Sequence, residues 1–457
     1  MINTKNMDNI LRQLKNDFQD NNDLIIKKMR NFYVIFLDSL CSQDKINEYI
    51  LKRFNHKINY LGSNEKIVNS YKEIENYLYN GFTIILNKKE ITAIETKGNI
   101  VRAVASNEKE PSMKGPKNAF VENYQTNLGL IKRRIKTSKL NVQNLNIGRI
   151  SKCNVGILSI NGIVKKDLLD KVISKLSNID IDIINDSENL IPYLEDKSIF
   201  PTIISTERPD RACKALSEGK IVIICDESPN VLILPGFLVD FINPFTDIYS
   251  KNKNIDFTKI IRLLCFFLSI IVPAFYIAII NYNQETIPTS LMVNFAVQRD
   301  KVPFPATVEC LIMLIICEIL RESDLRFPNK YGSAISILGA LILGDAAVSA
   351  GLVSPIMIII TAFTYISSLI FAEIEVGNAI RFYRFICLLS SAFFGLYGLF
   401  ICIIFLFINL CDTKSLGIPY TMPLSPFEKN YFKDTFIQLK NKYRSKYLSN
   451  NVKKENF

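Results

Sequence analysis

Two stretches of the chain follow one pattern: NFYVIFLDSLCSQDKINEYILKRF, residues 31–54, and NVGILSINGIVKKDLLDKVISKL, residues 154–176. Each opens with an apolar run of strand length, passes through a turn, and continues with apolar residues at helical spacing. These are Ile46, Ile50 and Phe54 in the first and Leu168, Val172 and Leu176 in the second. Aligned without gaps, Asp44 falls on Asp167. A second pair repeats the logic: NGFTIILNKKEITAIE from Asn80 and EGKIVIICDESPNVLILPG from Glu218 each read as a glycine-ended helix, a strand, a polar turn and another strand. The duplication predicts two related α/β subdomains.

The rest of the chain differs in composition. Of 457 residues, 48% are hydrophobic, and they are unevenly spread. Up to about Lys253 they alternate with Lys, Asn, Asp and Glu, whereas from Ile260 to Leu410 long runs carry almost no charge. The expected architecture is an α/β N-terminal cytoplasmic region of two related subdomains plus an all-α multi-spanning membrane domain. Its parts are a polar N-terminal extension (1–24), a first subdomain (25–126), a basic helical connector (127–149), a second subdomain (150–253), a transmembrane domain (254–411) and a basic C-terminal tail (412–457).

The net charge of +11 fits a domain lying against an anionic leaflet better than nucleic acid, because no basic run carries interleaved aromatics for base stacking. Ten cysteines lie apart with no CxxC and read as small hydrophobes. One histidine, His56, leaves no His-based metal site and no Ser/His/Asp triad. IVIICDES, residues 221–228, resembles the acidic strand end of an NTPase. The glycine-rich phosphate loop such an enzyme needs is missing, so Asp226 to Pro229 read as a turn and no cofactor is expected. TERPDR, residues 206–211, has two readings: a helix N-terminus with Asp210 in its first turn, or an inter-subunit contact made by Glu207, Arg208, Asp210 and Arg211.

Five apolar runs span Ile260–Ile280, Pro305–Leu320, Gly332–Ala350, Val353–Phe371 and Phe385–Leu410, giving four or five membrane segments. Lys251, Lys253, Lys259 and Arg262 before the first run place the N-terminal region in the cytoplasm. The tail after Phe427, with eight Lys and Arg against three acids, favours the same side and an even number of crossings. Pro305–Leu320 is therefore read as re-entrant or interfacial, being shortest and holding Glu309 and Glu318. Arg321, Arg381 and Arg384 are read as loop charges, and Glu309, Glu318 and Arg321 as a buried polar cluster in which Glu318 and Arg321 pair. In GALILGDAAVSAGLVSP, residues 339–355, Asp345 interrupts an apolar stretch at a cost of about 3 kcal/mol. Either it sits in the headgroups beside a close helix contact, or its helix lines a pore, with Asp345 as the acidic ring and Leu341, Val348 and Leu352 as the apolar gate.

Several motifs share one order with a known family. VPFPATVECLIMLIICEILRESDLRFP from Val302 leads to GSAISILGALILGDAAVSAGLVSP from Gly332. MKGPKNAFVENYQTNLGLIKRRIK starts at Met113, FPTIISTERPDRACKALSEGKIVIICDESPNVLILP at Phe200, and SLGIPYTMPLSPF at Ser415. From about Phe32 to Phe427 the chain resembles the A subunit of GerA-type spore germinant receptors. The resemblance implies a multi-pass protein of the spore inner membrane that works with a transporter-like B subunit and a lipoprotein C subunit. It further implies a homo-oligomeric ring acting as a nutrient-gated cation channel, and no enzyme activity. The chain departs from the pattern at Glu227, where the family has glycine in Asp-Gly-Ser-Pro, at Leu314, where glutamate is frequent, and at Asp345, where glutamine is common. Rival readings are an A-subunit paralogue serving dipicolinate release or signal amplification, a secondary transporter, and a membrane-tethered NTPase.

Overall fold

The structure is a computed structural model describing residues 7–18, 21–29, 32–51, 65–68, 70–87, 90–98, 115–249, 255–326, 344–371, 373–432 and 444–449. His56 and Leu341 lie outside the described residues.

The first repeat runs α1 (Met7–Asp17), β1 (Leu24–Lys28), β2 (Phe32–Leu37), α2 (Gln43–Ile46), β3 (Glu65–Ile67), α3 (Tyr71–Tyr79), β4 (Phe82–Asn87) and β5 (Ile91–Glu95). The second runs α4 (Tyr124–Lys132), β6 (Leu140–Ile147), β7 (Cys153–Ile160), α5 (Lys166–Ser177), β8 (Ile204–Thr206), α6 (Pro209–Glu218), β9 (Ile221–Cys225) and β10 (Val231–Leu234). Their five-stranded sheets have matching orders, β1-β2-β4-β5-β3 and β6-β7-β9-β10-β8, and every pairing within them is antiparallel. Helices cover both faces of the second sheet. There α4 and α6 pack on the face bearing Leu158, Val222 and Ile224, while Leu168, Val172 and Leu176 of α5 pack on the face bearing Ile157, Ile221 and Ile223. This double cover makes all of β9 apolar and buried. The stretch expected as a connector, 127–149, instead supplies the end of α4 and strand β6, whose Leu128, Ile131, Leu140 and Val142 are core residues. Likewise α1, in the expected polar extension, buries Ile10, Leu11 and Leu14 against the first sheet. Both segments show too short an apolar pattern to be recognised as opening elements of the repeat.

The helical region contains α7 (Ile255–Tyr282), α8 (Thr289–Arg299), α9 (Ala306–Arg326), α10 (344–349) and α11 (Pro355–Ser368), followed by a helical stretch from Ile374 to Asp412. Among the described residues, two stretches are long and apolar enough to cross a membrane, Phe257–Tyr282 and Glu375–Asp412. The second is no single rod. Gly395 is non-helical (φ 59°, ψ −139°), and Cys387 and Cys402 stand 5.6 Å apart at Cα, where an unbroken helix would separate them by about 22 Å. The stretch is therefore an antiparallel hairpin of α12 (374–394) and α13 (396–412). Tyr282, ending α7, donates its hydroxyl to the Ala392 and Phe393 carbonyls at the hairpin tip.

These contacts order the helices by direction. The sheet end of the bundle holds the start of α7, where Arg262 pairs with Asp247, and Glu373 before α12, which pairs with Arg211. Asn281 bonds Thr307 at the far end, while Arg321 lies on Gly377 near the sheets. So α9 runs the full depth of the bundle over about 31 Å. Apart from Pro305, the segment read as re-entrant or interfacial, Pro305–Leu320, lies within this helix. The stretch 374–412, which contains the fifth apolar run, folds back on itself at Gly395, and the chain returns to the sheets. There Ser415 bonds the Thr202 carbonyl, Tyr420 is buried against Phe200 and Phe241, and Leu448 is fully buried in the core around α5. Cys387 and Cys402 pair across the hairpin, correcting the reading of all ten cysteines as hydrophobic filler, which spacing alone could not refine.

One apolar core runs from the second sheet into the helices. Its hub is Phe200, fully buried, with stacked rings of Tyr383 at 5.5 Å and Tyr420 at 6.1 Å and a tilted Phe266 at 6.2 Å. The first repeat joins the second through polar contacts. Buried Lys132 reaches Asp23 at 2.5 Å and Asn21 at 3.2 Å, and Lys136 bonds Asn80.

Candidate functional site

The TERPDR segment sits where the second sheet meets α7 and α12. Its proline opens α6 with a preset φ and no wasted N–H. Arg208, 1% exposed, forks onto Asp210 with contacts of 3.1 and 2.7 Å and lies over the Phe245 ring at 5.4 Å. Tyr249 donates to Asp210 at 2.6 Å, and Arg211 donates to Glu373 and to the Asp240 carbonyl, both at 3.2 Å. The half-buried Glu207 offers its carbonyl to the Phe120 N–H at 2.8 Å. Burial alone would raise the Asp210 carboxyl, but the hydrogen bonds from Arg208 and Tyr249 and the neighbouring guanidinium charges hold it below the ordinary carboxylate range. Within the chain, Arg208, Asp210 and Arg211 thus bind the start of α6 to the segments carrying Tyr249, Asp240 and Glu373. A fork this buried is tolerated because each charge has its partner in place.

The expected cluster of Glu309, Glu318 and Arg321 separates into two sites on α9. Glu309 is fully buried and accepts the Ser354 N–H at 2.6 Å and hydroxyl at 2.5 Å, capping α11. Glu318, nearer the sheets, pairs across helices with Arg381 at 2.8 Å and Arg384 at 3.6 Å, rather than with Arg321 along its own helix. Leu314, between them, is buried in an apolar cluster. Arg381 and Arg384 are residues of α12 and not of a loop. Arg384 also donates Nε–H to the Ser269 carbonyl at 2.8 Å. That carbonyl is available because its helical partner would be the N–H of residue 273, and residue 273 is a proline. Pro273 was the one signal in the sequence that pointed to this acceptor.

Asp345 lies exposed on α10, with no hydrogen-bond or ion-pair partner among the described residues. Val348 is half-buried and Leu352 exposed. Gly351 (φ +67°) turns the chain toward α11, with open space for a Cβ apart from the Lys301 carbonyl at 3.2 Å. Gly344 faces Ile358, and Asp345 precedes the bend at Gly351 by six residues. At the other departure from the family pattern, Glu227 adopts φ 63°, a conformation in which glycine is unstrained. Asp226 accepts the Tyr124 N–H at 3.1 Å and so serves the start of α4. Among the described residues no group of three His, Cys, Asp or Glu side chains is placed to hold a metal.

Duplicated sheet-and-helix units that share a core with a bundle of apolar helices define a two-part chain, one part folded around sheets and the other apolar enough in two stretches to cross a membrane. The chain belongs to the Bacillus/Clostridium GerA spore germination protein family, which it matches over residues 12–447. It is similar to spore germination protein KA of Bacillus subtilis (strain 168), 36% identical over 443 residues, covering 94% of this chain and 81% of that protein. Spore germination protein A1 of the same organism is 31% identical over 451 residues, covering 94% and 93%. The crystal structure of the N-terminal domain of the A subunit of the Bacillus megaterium spore germinant receptor GerK3 shares 24% identity at a TM-score of 0.38, covering 51% of this chain and 96% of that one.

Proposed function

We propose that the chain is the A subunit of a nutrient germinant receptor, and that copies of it form an oligomeric, nutrient-gated cation channel in the spore inner membrane. Opening of the channel starts germination, with a transporter-like B subunit and a lipoprotein C subunit as partners. The observation that carries the reading is Asp345, an exposed carboxylate without a partner among the described residues, on a helix of small residues at the surface of an apolar bundle. In a monomer such a charge is costly. Around the axis of a ring it faces water, attracts cations, and leaves Val348 and Leu352 to close the lumen. Membership of a spore germination family supports the role, and the alternating helix directions support a multi-pass topology with sheets and tail in the cytoplasm. Nutrient binding to a partner would bias a closed-to-open equilibrium, with no covalent step.

The test is potassium release from spores. Val348→Ala should leak cations during spore formation without nutrient, and Asp345→Asn should lower nutrient-triggered flux while assembly stays intact. Dormant spores with normal release in both variants would remove this helix from the pore.

A further inference from the structure

Where α9 packs against α12 near the sheets, three arginines surround one carboxylate. Arg381 is fully engaged, by Glu318 at 2.8 Å, the Gly377 carbonyl at 3.3 Å and Asn378. Arg384 is not. Its Nε bonds the Ser269 carbonyl and its Nη1 stands 3.6 Å from Glu318, yet Nη2 has no partner among the described residues although the residue is 1% exposed. Arg321 lies within electrostatic reach of Glu318 and Arg381 and makes no hydrogen bond or ion pair among the described residues. Its half-buried guanidinium rests on the bare backbone of Gly377, where a Cβ would fall 2.5 Å from Nη2.

Glu318 balances one of these three charges, and the surplus sits among apolar helices where unpaired charge is costly. A guanidinium fork fits an oxyanion, phosphate above all, through two parallel N–H donors. The cluster opens sideways, since Arg381 and Glu318 keep a quarter to a fifth of their side-chain surface, and the neighbouring Ile319 and Phe382 are exposed apolar residues. It also lies at the end of the bundle facing the sheets, the side on which basic pockets between membrane helices hold headgroups. From this geometry we infer that Arg321 and Arg384, beside the engaged Arg381–Glu318 pair, form an oxyanion site whose occupant is the phosphate of an anionic phospholipid. The inference rests on the reading that these helices cross a membrane.

The test uses the full chain in nanodiscs of phosphatidylcholine with and without phosphatidylglycerol, with retained lipid read by native mass spectrometry. The wild type should retain phosphatidylglycerol about tenfold better than Arg321→Gln, the worth of one charge-assisted contact. Arg321 has no described partner to lose, so this variant folds. Glu318→Gln removes the competing carboxylate and should retain more lipid than the wild type. Equal retention by wild type and Arg321→Gln, or loss of lipid in Glu318→Gln, would overturn the site. Displacement of the lipid by inorganic phosphate would keep the oxyanion site and overturn the lipid assignment. Failure of the chain to enter nanodiscs at all would count against the membrane reading instead.

Discussion

The two longest apolar stretches take opposite paths. Residues 255–282 contain a proline, the residue expected to break a helix, and continue through it. Residues 374–412 contain no proline and reverse at Gly395. The difference lies in what the neighbours supply. Pro273 costs α7 one backbone hydrogen bond, and Arg384 of α12 fills the orphaned Ser269 carbonyl. Gly395 adopts a conformation closed to side chains, and Tyr282 of α7 caps two carbonyls at the turn it creates. Each stretch thus completes the backbone of the other.

The hairpin is where this contrast breaks most readily. At Gly398 a Cβ would overlap the Ser390 carbonyl oxygen across the hairpin, so Gly398→Ala should force the arms apart at a cost of about 3 kcal/mol. Gly395→Ala should cost about 2 kcal/mol through strain at the turn. In both variants the Cys387–Cys402 pairing should fall, as read by mass spectrometry of the unreduced protein. An unchanged yield would mean that the reversal does not depend on these glycines.

Pro273→Ala sharpens the other half. Removing a proline from a helix ordinarily gains about 3 kcal/mol. Here the restored N–H competes with Arg384 for Ser269, and loss of a hydrogen bond from a charged group offsets about 2 kcal/mol of the gain. The unfolding midpoint in detergent should move by no more than about 1 kcal/mol in equivalent stability. A full gain would show that Arg384 contributes nothing to that carbonyl. The smallest effect belongs to Tyr282→Phe, about 1 kcal/mol, because the tip carbonyls can turn to solvent or headgroups once the hydroxyl is gone. A loss as large as that of Gly398→Ala would mean that the tyrosine, and not the glycine, holds the tip.

The duplicated strand, turn and helix pattern was legible because it depends on local periodicity: Ile46 and Ile50, and Leu168, Val172 and Leu176, are buried as their spacing requires. The opening helices were not assigned to the repeat: α1 falls in the segment read as a polar extension, and the end of α4 in the segment read as a basic helical connector. In the candidate site, the sequence marked Glu309, Glu318, Arg321 and Asp345 as charges out of place, since the energetic penalty of such residues follows from their apolar surroundings alone. Their partners were not legible. Ser354 is 45 residues from Glu309, and Arg381 is 63 from Glu318.

By itself, then, the sequence determined the repeat, the division between sheet-forming and membrane-type halves, and the family, because hydrophobic period and motif order are properties of neighbouring residues. Tertiary structure decided the reversal at Gly395, the separation of Glu309 from Glu318, the closing of Arg208 and Asp210 within one chain, and the surplus of arginine beside Gly377. Each of these depends on which distant side chain arrives to satisfy a buried carbonyl or charge, and only the packed chain brings them within reach.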